Sequence, residues 1–440
     1  MNMVSRLKNS MTKILTPYRF GFVRGHDYLS EEQVDNVLWH VSSCDSTVTA
    51  GYEEMFGAIL GDKKGCVSFA SGRMGFYAVM KVLNIGPGDE VILPAFTCSV
   101  MPNAVIRSGA KPVFADIDAS TFGSKAELIS AKITPVTRLI VAQHSFGIPC
   151  DIRAIVELGK EKGIFVLEDS AIAFDSEINN SKVGTLADAA IFSTDHTKPL
   201  NTIIGGLVFS RNTELIEKIR DIWNDCAELE TVHKQRLLNT FLFERKYMNP
   251  ARFPRAGLFR RLCSLKNFLA GQGCDPGFLT GDYTAHATAD YPYPARMPSF
   301  LCQLGIYELE RWNSEKRRRI GILDKYISIM RESGAPGLVP LIYNSPDRKI
   351  VPLRFVFEVN NAAQFMGKTS KYLDAEATWF RGPIICAGTK LSDLGYNGDA
   401  PGAEKICSRI INWPCVIGEA WEKTILKLFR SFIVRVGENK

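Results

Sequence analysis

The sequence has no long hydrophobic run, no paired cysteine motif and no large excess of charge. No stretch of about 18 apolar residues occurs, so the sequence does not predict a transmembrane helix. None of the 11 cysteines forms a Cys-x-x-Cys pair, and no Cys/His group has the spacing of a metal site. The net charge of +6 is modest for this length and does not indicate a nucleic-acid-binding protein. Scattered, unpaired cysteines are typical of a cytoplasmic protein.

The length and composition indicate a globular protein of more than one domain. The chain has 440 residues, of which 46% are hydrophobic and 23% are charged. A loop rich in Gly, Pro and Tyr at 271–298 provides a candidate boundary. We therefore predict an N-terminal arm and helix at 1–49, a large domain at 50–290, and a smaller C-terminal α+β domain at 291–440.

Apolar strand patterns alternate with helical patterns from residue 66 to residue 211. This alternation predicts an α/β domain with a mostly parallel sheet flanked by helices. Ligands on such sheets bind beyond the carboxyl ends of the strands. After residue 211 the pattern changes: a helix is predicted at 213–231, a basic stretch at 245–266, a long helix at 300–329, and a helix or strand at 406–413.

Two neighbouring strand patterns end in residues that can carry chemistry. The strand that begins at Ile164 ends at Glu168-Asp169, and the strand Ala190–Ser193 leads into a polar loop that contains Lys198. Alone, either feature also fits an ordinary solvated loop. Together they supply the two groups that pyridoxal phosphate needs: a lysine for the Schiff base and an aspartate that keeps the pyridine nitrogen protonated.

A third feature could bind the phosphate of such a cofactor. The brief strand that begins at Cys66 runs into the small-residue turn Ser71-Gly72-Arg73, and a helix follows at once. The first N–H groups of a helix are free to bind an anion. An ordinary strand-to-helix turn has the same pattern.

In this order, the motifs resemble the DegT/DnrJ/EryC1/StrS family of sugar aminotransferases, which have the pyridoxal-phosphate-dependent transferase fold type I. The resemblance covers about half of the chain and is faint elsewhere. The matching pieces are Ser71-Gly72-Arg73, 86–94, Thr97, 109–118, His144-Ser-Phe-Gly147, Glu168-Asp169, Phe192-Ser193, Lys198, Gly205-Gly206 and Arg296-Met297.

The resemblance implies specific roles for these residues. Lys198 would carry the cofactor and transfer a proton, and Asp169 would pair with the pyridinium nitrogen. The remaining cofactor-binding residues would be Gly72, Arg73 and Met74 through backbone N–H groups, Ser193 through its hydroxyl, and Cys98 beside the ring.

Three positions differ from the usual family residues. Cys98 replaces an aromatic residue that stacks on the pyridine ring, and Phe96 is a candidate substitute. Ile172 replaces a glutamine near the phenolic oxygen. Tyr293-Pro-Ala-Arg296 replaces a segment with an asparagine that reaches the neighbouring subunit's phosphate.

The resemblance implies an enzyme that transfers an amino group, from glutamate, to a nucleotide-linked keto-sugar in surface polysaccharide or glycosylated-metabolite synthesis. It also implies a homodimer. Three alternatives remain open. The first is a non-catalytic or regulatory protein that has kept the fold. The second is a dehydratase-type relative, which Lys198 disfavours because those relatives carry histidine there. The third is a membrane-associated scaffold that uses 245–266.

Overall fold

The centre of the protein is a seven-stranded sheet. The computed structural model describes residues 14–43, 45–259, 262, 291–386 and 388–437. The strands of this sheet are β1 (Cys66–Phe69), β2 (Glu90–Pro94), β4 (Lys111–Ala115), β5 (Thr137–Gln143), β6 (Phe165–Asp169), β9 (Ala189–Ser193) and β10 (Gly206–Phe209). Their order across the sheet is β1-β10-β9-β6-β5-β2-β4. Strand β10 is antiparallel to both of its neighbours, whereas the other neighbouring strands are parallel.

Helices precede, connect and follow these strands. They are α1 (Glu31–Trp39), α2 (Ser46–Leu60), α3 (Gly72–Val82), α4 (Val100–Ser108), α5 (Ala126–Ser130), α6 (Ile152–Lys162), α7 (Thr213–Asp225), α8 (Thr231–Tyr247), α9 (Ser299–Glu332), α10 (Ala362–Thr369), α11 (Pro401–Cys407) and α12 (Glu422–Gly437). The central strands are almost wholly buried, as expected when helices cover both faces of a parallel sheet. The predicted α/β architecture is confirmed.

Smaller strands build three further sheets. Strands β7 (Glu177–Ile178), β8 (Ser181–Lys182) and β11 (Arg348–Lys349) form one, β12 (Arg354–Glu358) pairs with β14 (Ile410–Pro414), and β3 (Thr97–Cys98) pairs with β13 (Ile384–Ile385). The segment predicted as a helix or a strand at 406–413 contains both, because α11 ends at Cys407 and β14 begins at Ile410.

The single helix predicted at 213–231 is wrong. Helix α7 ends at Asp225, and Cys226 is extended before α8 begins at Thr231. The guanidinium group of Arg296 donates to the carbonyl oxygens of Cys226 and Asn224 at 2.8 and 2.7 Å. These bonds satisfy carbonyls at the helix end, so a residue 70 positions away helps to end the helix.

Two main hydrophobic cores lie along one long helix, α9. Phe300, Leu304 and Trp312 in its first half belong to the core around the central sheet. Tyr326 and Met330 in its second half belong to a second core, built also by β12, β14 and α12. Helix α9 therefore joins the two cores. Within the described residues, no helix has the combination of length and apolar character needed to cross a bilayer.

A buried carboxylate at the middle of α9 forms ion pairs with three arginines. Glu315 is 2% exposed and accepts hydrogen bonds from Arg24, Arg311 and Arg319 at 3.3, 3.0 and 3.0 Å. Burial by itself raises the pKa of Glu315, but the charges of Arg319, Arg311 and Arg24 outweigh that effect and lower the pKa. Arg319 also donates to the backbone oxygen of Pro199 at 3.3 Å, which links this cluster to the loop of Lys198.

We expect Glu315→Gln to lower the free energy of unfolding at neutral pH by about 3 kcal/mol, because it leaves buried arginines without their carboxylate. Since folding lowers the pKa of Glu315, its stabilising effect is present above the unfolded pKa and is lost as the pH falls through the folded pKa. The difference between wild type and variant should therefore shrink below about pH 4.3. Urea unfolding at several pH values measures both effects.

The control for this prediction is Glu419→Gln. Glu419 also pairs with an arginine of α9, Arg318, but its side chain is 88% exposed. An exposed ion pair contributes between zero and about 1 kcal/mol. Equal losses in the two variants would contradict the role given to Glu315.

Part of the predicted basic stretch lies outside the described residues, as does most of the predicted loop at 271–298. In the described part, Arg245 lies on α8 and pairs with Glu31 at 2.7 Å. The guanidinium group of Arg252 donates to the backbone oxygen of Lys246 at 2.8 Å.

Candidate active site

Three parallel strands bring the candidate residues to one edge of the sheet. Strand β1 leads to Ser71, β6 ends at Asp169, and β9 ends at Ser193 before the loop of Lys198. Because these strands are parallel, their carboxyl ends meet at the same edge.

The loop that carries Lys198 is held by its own polar groups. The backbone N–H of Lys198 donates to the Asp195 carbonyl oxygen at 2.8 Å, and the Asp195 carboxylate accepts from the Thr197 N–H and hydroxyl at 3.1 and 2.9 Å. The Thr202 hydroxyl closes the loop on Thr194, with 2.7 Å between the two oxygens. These bonds fix the backbone at Lys198, whose side chain is only half-buried.

A buried glutamate of α8 accepts hydrogen bonds from the same loop. Glu244 is fully buried and accepts hydrogen bonds from His196 at 2.7 Å and from Asn201 at 3.0 Å. The His26 ring bonds the Asn201 carbonyl oxygen at 2.7 Å. The N-terminal segment and α8 thus both position the lysine loop.

The Lys198 ammonium lies against an aromatic ring from a distant part of the chain. Its Nζ is 4.5 Å from the centroid of the Trp379 ring. Burial raises the pKa of the Asp195 carboxyl, but the positive charges of His196 and Lys198 and the bonds from Thr197 outweigh it and lower the pKa. Lys198 therefore lies among ionisable groups and is not an isolated surface residue.

Asp169 is a buried carboxylate near this lysine. Its side chain accepts a hydrogen bond from the Ala171 N–H at 3.0 Å, and no second hydrogen bond to it occurs within the described part of the chain. Burial raises the pKa of Asp169, and the charges of Lys198 and His144 offset only part of that effect. A positively charged ring nitrogen is the kind of partner that such a carboxylate can accept.

The neighbouring Glu168 and His144 have structural partners. Glu168 accepts from the backbone N–H groups of Gly184, Leu186 and Ala187 at 2.7, 2.7 and 2.9 Å, and it bonds the His144 Nε2 at 2.9 Å. Both side chains are fully buried. This pair links β5 and β6 to the loop at 184–187. Of the two neighbouring carboxylates, Glu168 is therefore structural and Asp169 faces the candidate site.

The turn before α3 packs very closely against β9 and β10. A Cβ on Gly206 would lie 2.1 Å from the Gly72 nitrogen, and a Cβ on Gly72 would lie 2.9 Å from the Phe192 oxygen and 3.4 Å from the Ser193 Cβ. Only glycines allow this approach. It places the first N–H groups of α3, including those of Gly72 and Arg73, beside Ser193.

The residues present fit pyridoxal phosphate. Ser71 precedes α3, and its hydroxyl is buried without a hydrogen-bond partner among the described residues. The helix start, this hydroxyl and Ser193 together could hold a phosphate. Lys198 and Asp169 could supply the amine and the carboxylate that the aldehyde and the ring nitrogen require.

The structure also locates the positions that differ from the family pattern. Cys98 is near the charges of Lys198 and Arg73. Ile172 is buried in the core around the sheet. Phe96 is fully buried against Phe380, with 4.3 Å between the ring centroids, so it contributes to the core instead of presenting a ring face to the site.

The segment with Tyr293 lies beside the turn at the start of α3. The Tyr293 hydroxyl donates to the Arg73 carbonyl oxygen at 3.3 Å, and the Ala70 N–H donates to the Ala295 carbonyl oxygen at 2.9 Å. The Arg107 guanidinium carbon lies 4.2 Å from the centroid of the Tyr293 ring. This segment therefore supports the candidate phosphate cradle of its own chain.

Sequence reasoning missed two residues next to Lys198, namely Trp379 and Cys386. Both come from the C-terminal part of the chain, and no local pattern marks them. Strand β13 brings in Cys386 by pairing with β3, where Ile385 lies opposite Cys98.

Comparison with known proteins agrees with this geometry. Residues 30–242 match the DegT/DnrJ/EryC1/StrS aminotransferase family. The chain is thus similar to this family over that segment, which is just under half of its length.

Two curated relatives show the extent of the similarity. One, the dTDP-4-dehydro-2,3,6-trideoxy-D-glucose 4-aminotransferase of Saccharopolyspora spinosa, is 35% identical over 39% of this chain and 45% of its own length. The other, the UDP-N-acetyl-3-dehydro-alpha-D-glucosamine 3-aminotransferase of Acidithiobacillus ferrooxidans, is 38% identical over 36% of this chain and 43% of its own. The match thus spans less than half of either relative.

The fold extends the similarity beyond that segment. The PLP form of Spr1654 from Streptococcus pneumoniae superposes with a TM-score of 0.68 and 20% identity, over 95% of this chain and 100% of that one. The predicted transferase fold is confirmed.

Proposed function

We propose that this protein is a pyridoxal-phosphate-dependent aminotransferase that moves an amino group from an amino acid, glutamate, to a keto-sugar carried on a nucleotide. The observation that carries the proposal is the meeting of Lys198, Asp169 and the start of α3 at one edge of the sheet. The two curated relatives are both named as aminotransferases of nucleotide-linked sugars, which supports the acceptor class.

Each residue has a definite task in this reaction. Bound pyridoxal phosphate supplies an aldehyde carbon and an electron-accepting ring. Lys198 would hold that carbon through Nζ and, once released, would move a proton between the substrate carbon and the cofactor. The Asp169 carboxylate would keep the ring nitrogen protonated. Ser71, Ser193 and the α3 N–H groups would hold the phosphate.

The proposal includes a homodimer in the cytoplasm that serves surface polysaccharide or glycosylated-metabolite synthesis. A relative at 38% identity, from Bacillus subtilis, is named a spore coat polysaccharide biosynthesis protein, which supports that biological context. The family resemblance implies that two subunits complete each site. Light scattering of the active protein measures the oligomeric state, and an active monomer would contradict a shared site.

The experiment that tests the activity is a two-step spectral assay. We expect added pyridoxal phosphate to give the purified protein a visible absorbance band, and glutamate to convert that band with release of 2-oxoglutarate. A nucleotide-linked keto-sugar should then restore the band and yield an amino-sugar by mass spectrometry. Absence of the band at saturating cofactor would instead favour a non-catalytic protein that has kept the fold.

Trp379 supplies the aromatic surface that Cys98 cannot. Two hydrogen bonds with the Asn412 side chain hold the Trp379 backbone. Asn412 accepts from the Trp379 N–H at 2.9 Å and donates to the Trp379 carbonyl oxygen at 2.5 Å. The fully buried Arg354 bonds the Asn412 side-chain oxygen at 2.9 Å, and its guanidinium carbon lies 4.0 Å from the Trp379 ring centroid. The indole is thus held in place beside Lys198 before any ligand binds.

We expect Trp379→Ala to reduce kcat/KM about tenfold or more, because a cation–aromatic contact contributes roughly 1–2 kcal/mol. Trp379→Phe, which keeps a ring, should recover most of the loss. Cofactor dissociation constants from absorbance titration provide a second readout. Trp39→Ala is the control, because Trp39 is 69% exposed. Unchanged cofactor binding and turnover in Trp379→Ala would rule out this role.

A further inference from the structure

Two cysteines from distant parts of the chain meet beside Lys198. Strand β3 ends at Cys98, whose register partner in β13 is Ile385, and Cys386 follows directly. Ser99 fixes this junction: its N–H donates to the Ile385 carbonyl oxygen at 3.0 Å, and its hydroxyl donates to the Cys386 carbonyl oxygen at 3.1 Å. The backbones that carry the two thiols are therefore held side by side.

The two thiols interact with each other and differ in their acidity. The interaction with Cys386, the Val100 N–H and the charges of Lys198 and Arg73 outweigh burial and lower the pKa of Cys98 to about 7. The same interaction is the main reason that the pKa of Cys386 is raised. Of the two thiols, Cys98 therefore loses its proton more readily.

Several other cysteines in the described part of the chain have thiol pKa values that are raised instead of lowered. Burial raises the pKa of Cys226 to about 11 and that of Cys407 to about 12. Cys98 and Cys386 are both free thiols, and Cys386 is exposed. A nucleophilic thiolate beside an accessible second thiol is the arrangement found in redox-sensing cysteine pairs.

The backbone of Cys386 adds a further indication. Its φ of 61° lies in the left-handed region, which is costly for a residue with a side chain. Glycine would adopt this conformation without that cost. A cysteine kept in such a conformation next to a second thiol indicates a function for the side chain.

We propose that Cys98 and Cys386 form a redox site that hydrogen peroxide converts into a disulfide bond between β3 and the residue after β13. The Cys98 thiolate attacks one peroxide oxygen, so that an S–O bond forms, the O–O bond breaks, and the leaving hydroxide takes a proton to become water. Cys386 then loses its proton and attacks the Cys98 sulfur, an S–S bond forms, and the S–O bond breaks with loss of a second water. The two thiols are oxidised by two electrons in total, and the peroxide is reduced to two waters.

This disulfide would change the surroundings of Lys198. It would remove the thiolate charge near the ammonium and fasten the 97–99 segment to the 384–386 segment, which follows Trp379 by a few residues. A reducing dithiol would reverse both effects. The oxidation itself needs neither cofactor nor turnover, so its test is independent of the proposed aminotransferase activity.

The test is peptide mapping of the full-length protein after oxidation. Reduced protein is treated with hydrogen peroxide, the remaining thiols are blocked with iodoacetamide, and the digest is analysed by mass spectrometry. We expect a peptide pair joined through Cys98 and Cys386, with loss of two hydrogens, that disappears on treatment with dithiothreitol. The Cys407→Ser control should give the same pair.

Variants of the two cysteines sharpen this test. Cys386→Ser should yield no joined peptide and should accumulate sulfenic acid on Cys98, trapped by dimedone, whereas Cys98→Ser should yield neither. The rate of Cys98 alkylation should rise with pH around a midpoint of about 7. Oxidation of Cys98 in the wild type without a bond to Cys386, or equal thiol loss in both variants, would overturn the proposal. Cys386 is exposed, so its variant remains informative if Cys98→Ser does not fold.

Discussion

Replacing Lys198 with alanine should reduce kcat/KM for amino transfer by about 10²–10⁴-fold or more, because the variant loses both its attachment point for the cofactor and its proton-transfer group. The visible absorbance band should be lost as well. Borohydride reduction of the wild type should leave the cofactor fixed to the peptide that contains Lys198. The polar loop would remain intact, since its bonds involve backbone groups and other side chains.

The control for this prediction is Lys63→Ala. Lys63 is an exposed lysine paired with Glu54, and its removal should leave the absorbance and the turnover unchanged. A small amine added to Lys198→Ala should restore part of the proton transfer. If the alanine variant kept the band and the borohydride adduct moved to another lysine, the assignment of Lys198 would be wrong.

Replacing Asp169 with asparagine should lower kcat by about 10²–10³-fold, because a buried charge that stabilises the reacting system is removed. Asparagine has nearly the same shape and can still accept the hydrogen bond from the Ala171 N–H. The variant should therefore fold, and its cofactor should bind more weakly because the ring nitrogen loses its ionic partner. Stopped-flow absorbance with glutamate separates the slower proton transfer from the weaker binding.

Asp324→Asn is the matched control, because Asp324 is an exposed carboxylate on α9. It should match the wild type in both measurements. A normal kcat in Asp169→Asn would show that another group holds the ring proton. Glu168 would then be the next candidate to test. Its carboxylate already accepts hydrogen bonds from the N–H groups of Gly184, Leu186 and Ala187.

The sequence predicted the part of the site that comes from strand ends. Buried strands appear in a sequence as short apolar runs, so the residues that follow them, such as Asp169 and Lys198, can be placed at one edge of a parallel sheet without a structure.

The part that could not be predicted depends on contacts between distant segments. Cys386 reaches Lys198 through the pairing of β13 with β3, and a two-residue strand has no periodicity to detect. Trp379 is held there by Asn412 and Arg354, which lie on other strands. The break between α7 and α8 has the same origin. The helical pattern continues through Cys226, and the helix ends where Arg296 binds its last carbonyl groups.

Helix α9 determines how the protein can be divided. At 34 residues it is about 50 Å long, and its two halves complete different cores. A fragment that begins at residue 291 would carry Phe300, Leu304 and Trp312 without the partners that bury them. A fragment that ends at residue 290 would leave the sheet core without the same three side chains. Neither piece should be soluble alone, and the two cores should lose their structure together in a single cooperative transition.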